Sequence, residues 1–252
     1  MDIIKEDVVF YNNKKTKIAG RIYKNSLDSL KGVIFSHGLF SSKDGYKITR
    51  LAEDIVSEGF TLLAFDFSFS GESGGKISDL SILQEVQDLG CAVRFMIDTG
   101  MKEIHLIGSS MGGAVSLIYL SEKPALIKSL SLIATPVDLH KLLILNTGIR
   151  DIEGLPHEGY TKIDEFEIKN SFFKEALEIN IHENLKKIKT PVLVIHGEND
   201  SVVGPEDAGT IIDLLDTDKK LVIIEKGDHN LTTENDISVI RENIISWLNT
   251  YN

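Results

Sequence analysis

The chain has 252 residues, of which 42% are hydrophobic and 26% are charged. This balance is typical of a globular protein, and the length allows a substantial core in one α/β domain or two small ones. Basic side chains number 27 and acidic ones 38, which gives a net charge of −11. Nucleic-acid binding needs clustered positive charge, so the composition argues against nucleic-acid partners and against strong attraction to an anionic membrane.

The single cysteine, Cys91, excludes a disulfide within the chain. It lies among apolar residues at helical spacing, which predicts a buried small side chain. Residues 1–7 lack the basic start and apolar core of a signal peptide. No apolar run approaches the ~18 residues of a membrane span. We therefore expect a cytoplasmic protein.

The first part of the chain alternates short apolar runs with amphipathic segments. Two strands, around Val8 and Ile18, are predicted on either side of the polar turn 12–15. The elements predicted after them are strand 32–36, helix 46–57, strand 60–65, helix 80–99, strand 103–107, helix 111–121 and strand 129–134.

Beyond Pro136 the pattern changes, because residues 137–189 carry more charge and lack the apolar run of a buried strand. A leading antiparallel pair followed by repeated β-α units predicts a mostly parallel sheet with helices on both faces. We predict a core domain made of residues 1–136 and 190–252, with 137–189 as a cap over the carboxyl edge of the sheet. The elements predicted after the cap are strand 191–195, helix 205–215, strand 221–224 and helix 233–248.

Residues 108–112 read Gly-Ser-Ser-Met-Gly and match the pattern G-x-S-x-G. Because an apolar run precedes this segment and a helix-forming run follows it, Ser110 is predicted on a tight turn between strand and helix. A serine in that position can act as a nucleophile at the edge of the sheet. The pentapeptide also arises by chance, so the prediction depends on partners elsewhere in the chain.

A serine nucleophile needs a base, and the base needs an acid that orients it. Asp200 and His229 each follow a predicted buried strand, so both lie in loops at the same carboxyl edge as Ser110. The chain order of serine, acid and histidine fits this architecture. We predict that Ser110, Asp200 and His229 form a catalytic triad.

Acyl transfer also needs donors for the oxyanion. Residues 37–40, His-Gly-Leu-Phe, follow a buried strand, so the backbone N–H of Leu39 is one candidate donor. The N–H of Met111, directly after the nucleophile, is the second candidate.

Other residues near the predicted site admit different roles. Asp138 follows the strand 129–134 and is a rival for the acid; if it is not the acid, it is a candidate substrate contact at the base of the cap. His37 and His196 precede glycines at strand ends, where we expect them to fix loop geometry through hydrogen bonds. His105 lies within a strand and is expected to be packed. Histidine and cysteine spacing matches no metal site.

These features resemble the α/β-hydrolase superfamily over most of the chain. Within it, the chain is similar to bacterial cinnamoyl or feruloyl esterases and related small carboxylesterases, on the basis of His37-Gly38, the loop 65–73 and the insertion. Those esterases often carry an aromatic residue and a glutamine where this chain has Leu39 and Met111. The resemblance implies an α/β-hydrolase fold with a mostly parallel sheet of the eight-stranded type.

The resemblance also implies a serine carboxylic-ester hydrolase that forms an acyl-enzyme with small-to-medium esters, hydroxycinnamates being one candidate class. It implies a small-molecule ester as partner and no cofactor, and it leaves a homodimer open. A thioesterase or acyltransferase would use the same residues. A non-catalytic ligand receptor on the same fold is the alternative outside the enzymes.

Apolar residues of the predicted cap are candidates either for an acyl pocket or for a small core of the cap itself. These residues are Leu142, Leu143, Ile144, Leu145, Ile149, Phe166, Phe172 and Phe173.

Overall fold

The computed structural model describes residues 3–26, 29–123, 126–149, 151–163 and 165–252, without the side chains of 145–147. Its strands are β1 (Ile4–Tyr11), β2 (Lys17–Lys24), β3 (Lys31–Ser36), β4 (Thr61–Phe65), β5 (Glu103–Ser109), β6 (Ile127–Ile133), β7 (Tyr160–Ile163), β8 (Phe166–Lys169), β9 (Val192–Gly197) and β10 (Lys219–Ile224). Its helices are α1 (Tyr46–Ser57), α2 (Ile82–Asp98), α3 (Met111–Glu122), α4 (Leu139–Thr147), α5 (Asn170–Glu178), α6 (Ile181–Leu185), α7 (Glu206–Leu214) and α8 (Glu234–Thr250).

Eight strands form one sheet, in the order β1-β2-β4-β3-β5-β6-β9-β10. Only the pairs β1–β2 and β2–β4 are antiparallel among these neighbours, and the others are parallel. This confirms the predicted α/β-hydrolase fold with its mostly parallel eight-stranded sheet. Because β3, β5, β9 and β10 run in the same direction, the loops that follow them meet at one edge.

The two faces of the sheet bury separate cores, since successive side chains of a strand point to opposite faces. In β4, Leu63 and Phe65 belong to one core, while Leu62 and Ala64 belong to the other. Helices α2 and α3 cover the first face, and α1 and α8 cover the second. Each fully buried Leu, Ile or Phe contributes about 1.5–3 kcal/mol relative to an exposed position. The strands of the sheet therefore lie between two apolar layers that stabilise the fold.

Residues 137–189 contain α4, α5, α6 and the hairpin β7–β8, which forms a separate two-stranded sheet. The hairpin was not predicted, because its residues are mostly exposed or half-buried and give no run of apolar residues. Phe172 and Phe173 of α5 are buried and join the core under α2 and α3. This segment is therefore anchored to the rest of the fold by an apolar contact.

Two predictions about single side chains have different outcomes. His105 is fully buried as predicted, with Nδ1 2.8 Å from the Ser129 Oγ, and burial lowers its pKa to about 4. Cys91 is only half-buried on α2, packed against the core rather than enclosed in it, so the prediction of a buried side chain was too strong. In the described part of the chain, no helix is long and apolar enough to cross a membrane.

A buried polar cluster joins α2 to the loop after β4 and to the first hairpin. The Asp88 carboxylate is fully buried and accepts hydrogen bonds from Asn12 Nδ2 (2.8 Å), Gln84 Nε2 (2.9 Å) and the Ser68 N–H (2.8 Å). Glu85, one residue away from Gln84, is also buried. Burial raises the pKa of the Glu85 carboxyl well above its usual value, and the nearby Asp88 and Glu175 raise it further.

Replacing Glu85 by glutamine is expected to stabilise the protein at alkaline pH. A raised pKa means that the folded state holds the Glu85 proton more tightly than the unfolded chain does. The stability linked to that proton is fully present below the unfolded pKa of about 4.3 and is lost as the pH rises through the folded pKa. Glu85→Gln should therefore raise the free energy of unfolding at about pH 8 by on the order of 1 kcal/mol, and by little at about pH 4.5.

Urea unfolding at both pH values measures this difference. Glu53→Gln on the exposed face of α1 is the matched control and should show no pH-dependent gain. A constant difference between Glu85→Gln and the parent protein across this range would contradict the assignment.

Candidate active site

Ser110 lies at the junction between β5 and α3 and has a strained backbone. Its φ of 52° and ψ of −120° fall in a region that residues other than glycine rarely adopt, at a cost of about 1–3 kcal/mol. The Ser110 N–H donates to the Ile133 carbonyl of β6 at 2.8 Å, which fixes the turn. The tight turn predicted from the sequence is confirmed.

The glycines around Ser110 let the strand and the helix approach each other. A Cβ on Gly108 would lie 2.6 Å from the Gly113 Cα, and one on Gly113 would collide with the Thr135 Oγ1. A Cβ on Gly112 would collide with the carbonyl oxygens of Ser36 and His37. Because these last two groups are backbone, they cannot rotate away from the added atom.

Gly112→Ala is therefore expected to lower the free energy of unfolding by about 1–3 kcal/mol or more, the usual cost of overpacking. The matched control is Gly209→Ala in α7, where an added Cβ meets nothing within 4 Å. There the higher helix propensity of alanine should raise stability by about 0.5–1 kcal/mol. Urea unfolding of both variants measures the difference, and similar effects at the two sites would contradict this reading of the turn.

The structure brings Ser110, His229 and Asp200 together from three loops. His229 Nε2 lies 3.1 Å from the Ser110 Oγ, and His229 Nδ1 lies 2.8 Å from Asp200 Oδ2. The Asp200 side chain is fully enclosed, while the His229 side chain keeps 18% of its exposure. Each distance is within hydrogen-bonding range, so the arrangement can pass a proton from the serine to the imidazole.

Asp200 is held by more partners than the sequence indicated. Its Oδ1 accepts the backbone N–H groups of Val202 (2.9 Å) and Val203 (2.8 Å), and His196 Nε2 lies 3.2 Å from its Oδ2. Burial by itself raises the pKa of the Asp200 carboxyl. The hydrogen bonds from the two histidines and from the backbone outweigh burial and hold this pKa below its usual range. The carboxylate is thus kept ionised and fixed in orientation.

His196 is fully buried on β9, and its Nε2 also lies 2.9 Å from the Val203 carbonyl oxygen. A carbonyl only accepts hydrogen bonds, so the His196 Nε2 carries the proton. This confirms the predicted role in loop geometry. The contact between His196 and Asp200 was not predicted, although the two residues lie only four positions apart in the sequence.

The two predicted oxyanion donors flank the serine. Met111 is the first residue of α3, so its N–H has no acceptor within the helix. Leu39 lines the same cavity as Ser110 and Met111. Gly38 allows this approach, since a Cβ there would lie 3.2 Å from the Ser110 Cβ.

His37 ties the loop of Leu39 to the neighbouring loop after β4. Its Nε2 accepts the Phe67 N–H at 3.2 Å, so its Nδ1 carries the proton and donates to the Gly38 carbonyl at 2.8 Å. Burial lowers the pKa of the His37 imidazole, with opposing contributions from Gly38 and Asp66, and keeps the ring neutral. The predicted role of His37 in loop geometry is confirmed.

The loop after β4 is held by a buried ion pair. Lys43 is 2% exposed, and its Nζ lies 3.3 Å from Asp66 Oδ2 and 2.6 Å from Glu72 Oε2. The Asp66 carboxylate also accepts the backbone N–H groups of Lys43 (2.6 Å) and Glu72 (2.8 Å). These contacts position the segment that His37 contacts, and thereby the neighbouring loop of Leu39.

A cavity of about 610 Å³ opens above Ser110 and His229. Leu142, Leu143 and Ile163, from residues 137–189, line this cavity, whereas Phe172 and Phe173 are buried in the core. Leu142 and Leu143 thus agree with the predicted pocket, whereas Phe172 and Phe173 belong to the main core and not to the separate small core that was the alternative prediction. Ile144, Ile149 and Phe166 are partly buried against the core, and the side chain of Leu145 lies outside the described residues.

Asp138 does not line this cavity. Its side chain is exposed and caps α4, where Oδ1 accepts the Lys141 N–H at 2.8 Å. Neither the acid role nor the substrate contact considered for Asp138 agrees with this position. The sequence pattern of a short polar residue before a helix is instead typical of an N-cap.

Some residues of the cavity wall were not predicted. They come from the start of α1 and from the loop after His229, namely Tyr46, Lys47, Asn230 and Thr232. The only available signal was their position in the chain, shortly after the His-Gly pair or next to the predicted base. Among the described residues, no group of three or more His, Cys, Asp or Glu side chains is placed to hold a metal ion.

Two family models match the chain. One, described as alpha/beta hydrolase fold, matches residues 32–151, and the other, described as serine aminopeptidase S33, matches residues 161–236. The matched regions contain Ser110, Asp200 and His229.

The chain is also similar to individual proteins. The mitochondrial palmitoyl-protein thioesterase ABHD10 of Mus musculus is 26% identical over 235 residues, 90% of this chain and 78% of that protein. Among solved structures, Est1E from Butyrivibrio proteoclasticus with bound ferulic acid has a TM-score of 0.87 at 19% identity, with 97% and 98% of the two chains covered. An esterase of Pyrococcus furiosus has a TM-score of 0.76 at 26% identity, with 99% and 92% covered. With this fold and these matches, the chain belongs to the α/β-hydrolase superfamily.

Proposed function

We propose that the protein is a serine hydrolase that cleaves carboxylic esters of small-to-medium acyl groups through an acyl-enzyme. The observation that carries this proposal is the hydrogen-bonded series from Ser110 Oγ through His229 to Asp200, with distances of 3.1 and 2.8 Å. The series opens into a cavity with an apolar wall, which suits an acyl group.

In the proposed mechanism, His229 accepts the Ser110 proton while the Ser110 Oγ attacks the ester carbonyl carbon. The backbone N–H groups of Leu39 and Met111 stabilise the oxyanion, and Asp200 supports the imidazolium. The bond to the alcohol breaks as the alcohol oxygen takes the proton from His229. A water molecule then gives a proton to His229 as its oxygen attacks the acyl carbon. The bond between the acyl carbon and Ser110 Oγ breaks as this oxygen takes the proton back from His229, which releases the acid. These steps need no cofactor.

Residues 137–189 are proposed to act as the cap that selects the acyl group. Leu142 and Leu143 of α4 and Ile163 of β7 border the cavity above Ser110. Phe40, which also lines the cavity, stacks on Phe166 of the hairpin with ring centroids 4.7 Å apart. Three of the residues that line the cavity thus come from this segment, and changes in it should alter acyl specificity before they alter the triad.

A thioesterase is the second candidate, because it would use the same residues and because the relative ABHD10 is named as a palmitoyl-protein thioesterase. Hydroxycinnamate esters are a candidate class, since the similar Est1E binds ferulic acid. These properties are those of ABHD10 and Est1E, and they indicate which substrates should be compared for this protein.

The test compares oxyesters and thioesters with the same acyl groups, from acetyl to palmitoyl, together with methyl ferulate. We expect higher kcat/KM for oxyesters, with an optimum at short or medium chain length. Faster cleavage of every thioester than of its oxyester after correction for intrinsic reactivity would favour the thioesterase. Absence of turnover across the whole panel would contradict a hydrolase and favour a ligand receptor.

A further inference from the structure

Lys47 places a cationic group in the wall of the cavity that contains Ser110 and His229. It lies in the first turn of α1, is half-buried and lines this cavity. Its Nζ donates to the carbonyl oxygen of Asn230 at 2.6 Å. Because Asn230 directly follows His229, the ammonium group lies beside the loop that carries the proposed base.

Among the described residues, no carboxylate forms an ion pair with the Lys47 ammonium group within 4 Å. The two carboxylates that act on it from a longer distance, Asp228 and Asp200, have other partners. Asp228 Oδ1 accepts the Leu231 N–H at 2.8 Å, and Asp200 is held by His229, His196 and backbone N–H groups. Burial lowers the pKa of the Lys47 ammonium, and these carboxylates oppose that change.

An ammonium group has three N–H donors, and the described protein supplies one acceptor within hydrogen-bonding distance. The remaining donors can bind a group that enters the cavity. A half-buried cation attracts an anionic oxygen more strongly than an exposed one does, because less water surrounds it.

The position of Lys47 also decides which part of a substrate it would contact. Leu142, Leu143 and Ile163 border the cavity from the cap, while Lys47 and Asn230 border it beside His229. The leaving alcohol or thiol receives its proton from the base, so it must lie on the histidine side. The acyl group then extends toward the apolar cap side.

We propose that Lys47 selects substrates whose alcohol or thiol part carries an anionic group, either a carboxylate or a phosphate. This inference rests on the proposed function, because it assigns the leaving-group side of that same site. The anionic group would stay bound to the ammonium while the ester bond breaks and the leaving oxygen takes the proton from His229. The contact lowers KM first, since it forms before the chemical step and persists through it.

The experiment uses three phenyl butyrates that differ only at the 4-position, which carries a carboxamide, a carboxylate or a phosphonate. Rates are corrected by the hydroxide-catalysed hydrolysis of each ester, which removes differences in leaving-group reactivity. For the wild-type protein we expect kcat/KM for the anionic esters to exceed that of the carboxamide by about tenfold, mainly through KM. Added salt should reduce this ratio. The carboxylate and the phosphonate are compared to show which anion is preferred.

Three variants separate the charge of Lys47 from its hydrogen bond. Lys47→Gln keeps a donor for the Asn230 carbonyl and removes the charge, so the ratio should fall to about one. Lys47→Arg keeps the charge and should retain most of the ratio. Lys220→Gln, at an exposed position of β10 outside the cavity, makes the same change in net charge and should retain the wild-type ratio.

A wild-type ratio of one or less would overturn the inference. It would also be overturned if Lys47→Gln lowered kcat/KM equally for all three esters, since that result assigns Lys47 only to the position of the His229 loop. In both cases hydrolysis of the neutral ester would leave the proposed function standing. No hydrolysis of any of the three esters by the wild-type protein would overturn the proposed function and this inference with it.

Discussion

Replacing Ser110 by alanine is expected to lower kcat on 4-nitrophenyl butyrate by about 10⁴–10⁶-fold, which is the effect of removing the nucleophile in serine hydrolases. The Ser110 Oγ is the only atom lost, and it lies 3.1 Å from His229 Nε2 in the direction of the cavity. Without it no acyl-enzyme can form, although the backbone donors and the cavity remain. Release of 4-nitrophenol under steady-state conditions measures the effect.

The fold should be unchanged in Ser110→Ala. Alanine has the same Cβ as serine, so the strained φ of 52° is no more costly for it. Ser121→Ala at the other end of α3, where the hydroxyl donates to the Ile118 carbonyl at 2.8 Å, is the matched control and should retain activity. Retention of more than about 1% of kcat in Ser110→Ala, with the protein shown to be pure, would assign the nucleophile elsewhere.

Asp200→Asn is expected to lower kcat by about 10⁴-fold while KM changes little. Asparagine keeps the shape of the side chain but loses the charge that supports the imidazolium, and its amide can hold His229 in the wrong tautomer. Asp138→Asn tests the rival acid and should lose little activity, because Asp138 caps α4 outside the cavity. A large loss in Asp138→Asn with a small one in Asp200→Asn would reverse the assignment of the acid.

The stability that Asp200 contributes should depend on pH in the direction opposite to that linked to Glu85. The folded protein holds the pKa of Asp200 below its usual value, so this carboxylate contributes stability above the unfolded pKa of about 3.9. That contribution is lost as the pH falls toward the folded pKa. The difference in free energy of unfolding between the parent protein and Asp200→Asn should therefore be largest near neutral pH and shrink below about pH 4.

Much of the fold follows from short-range patterns. The strands that became β3, β4, β5 and β9 are mostly apolar, because a parallel strand covered by helices on both faces has no side that faces water. The three loops that carry Ser110, Asp200 and His229 could be placed at one edge for the same reason. Parallel strands that alternate with helices must end on the same side of the sheet.

The structure of residues 137–189 and the polar wall of the cavity were harder to predict. The strands of the β7–β8 hairpin are mostly exposed or half-buried and contain no apolar run. Lys47 belongs to an amphipathic helix whose periodicity only places it off the buried face. Its approach to Asn230 joins residues 183 positions apart, and such a contact depends on how α1 packs against the loop after β10.

The contacts of the side chains around the triad were also hard to predict from the sequence. His196 was expected to hold its own loop, but its contact with Asp200 depends on the turn at Val202 and Val203, which brings the carboxylate back over the strand end. Asp138 was considered for the site because it follows a strand, and it became a helix cap because α4 starts directly after it. The positions of these residues in the sequence predicted their locations in the fold, whereas the local backbone geometry determines which groups they contact.

Mass spectrometry of the protein quenched during turnover of 4-nitrophenyl butyrate tests the central claim most directly. We expect a butyryl group on the peptide that contains Ser110, formed in a burst no larger than one equivalent and absent in Ser110→Ala. Turnover with no butyryl adduct on this peptide, or with a kinetically competent adduct on another residue, would contradict a mechanism in which His229 and Asp200 activate Ser110.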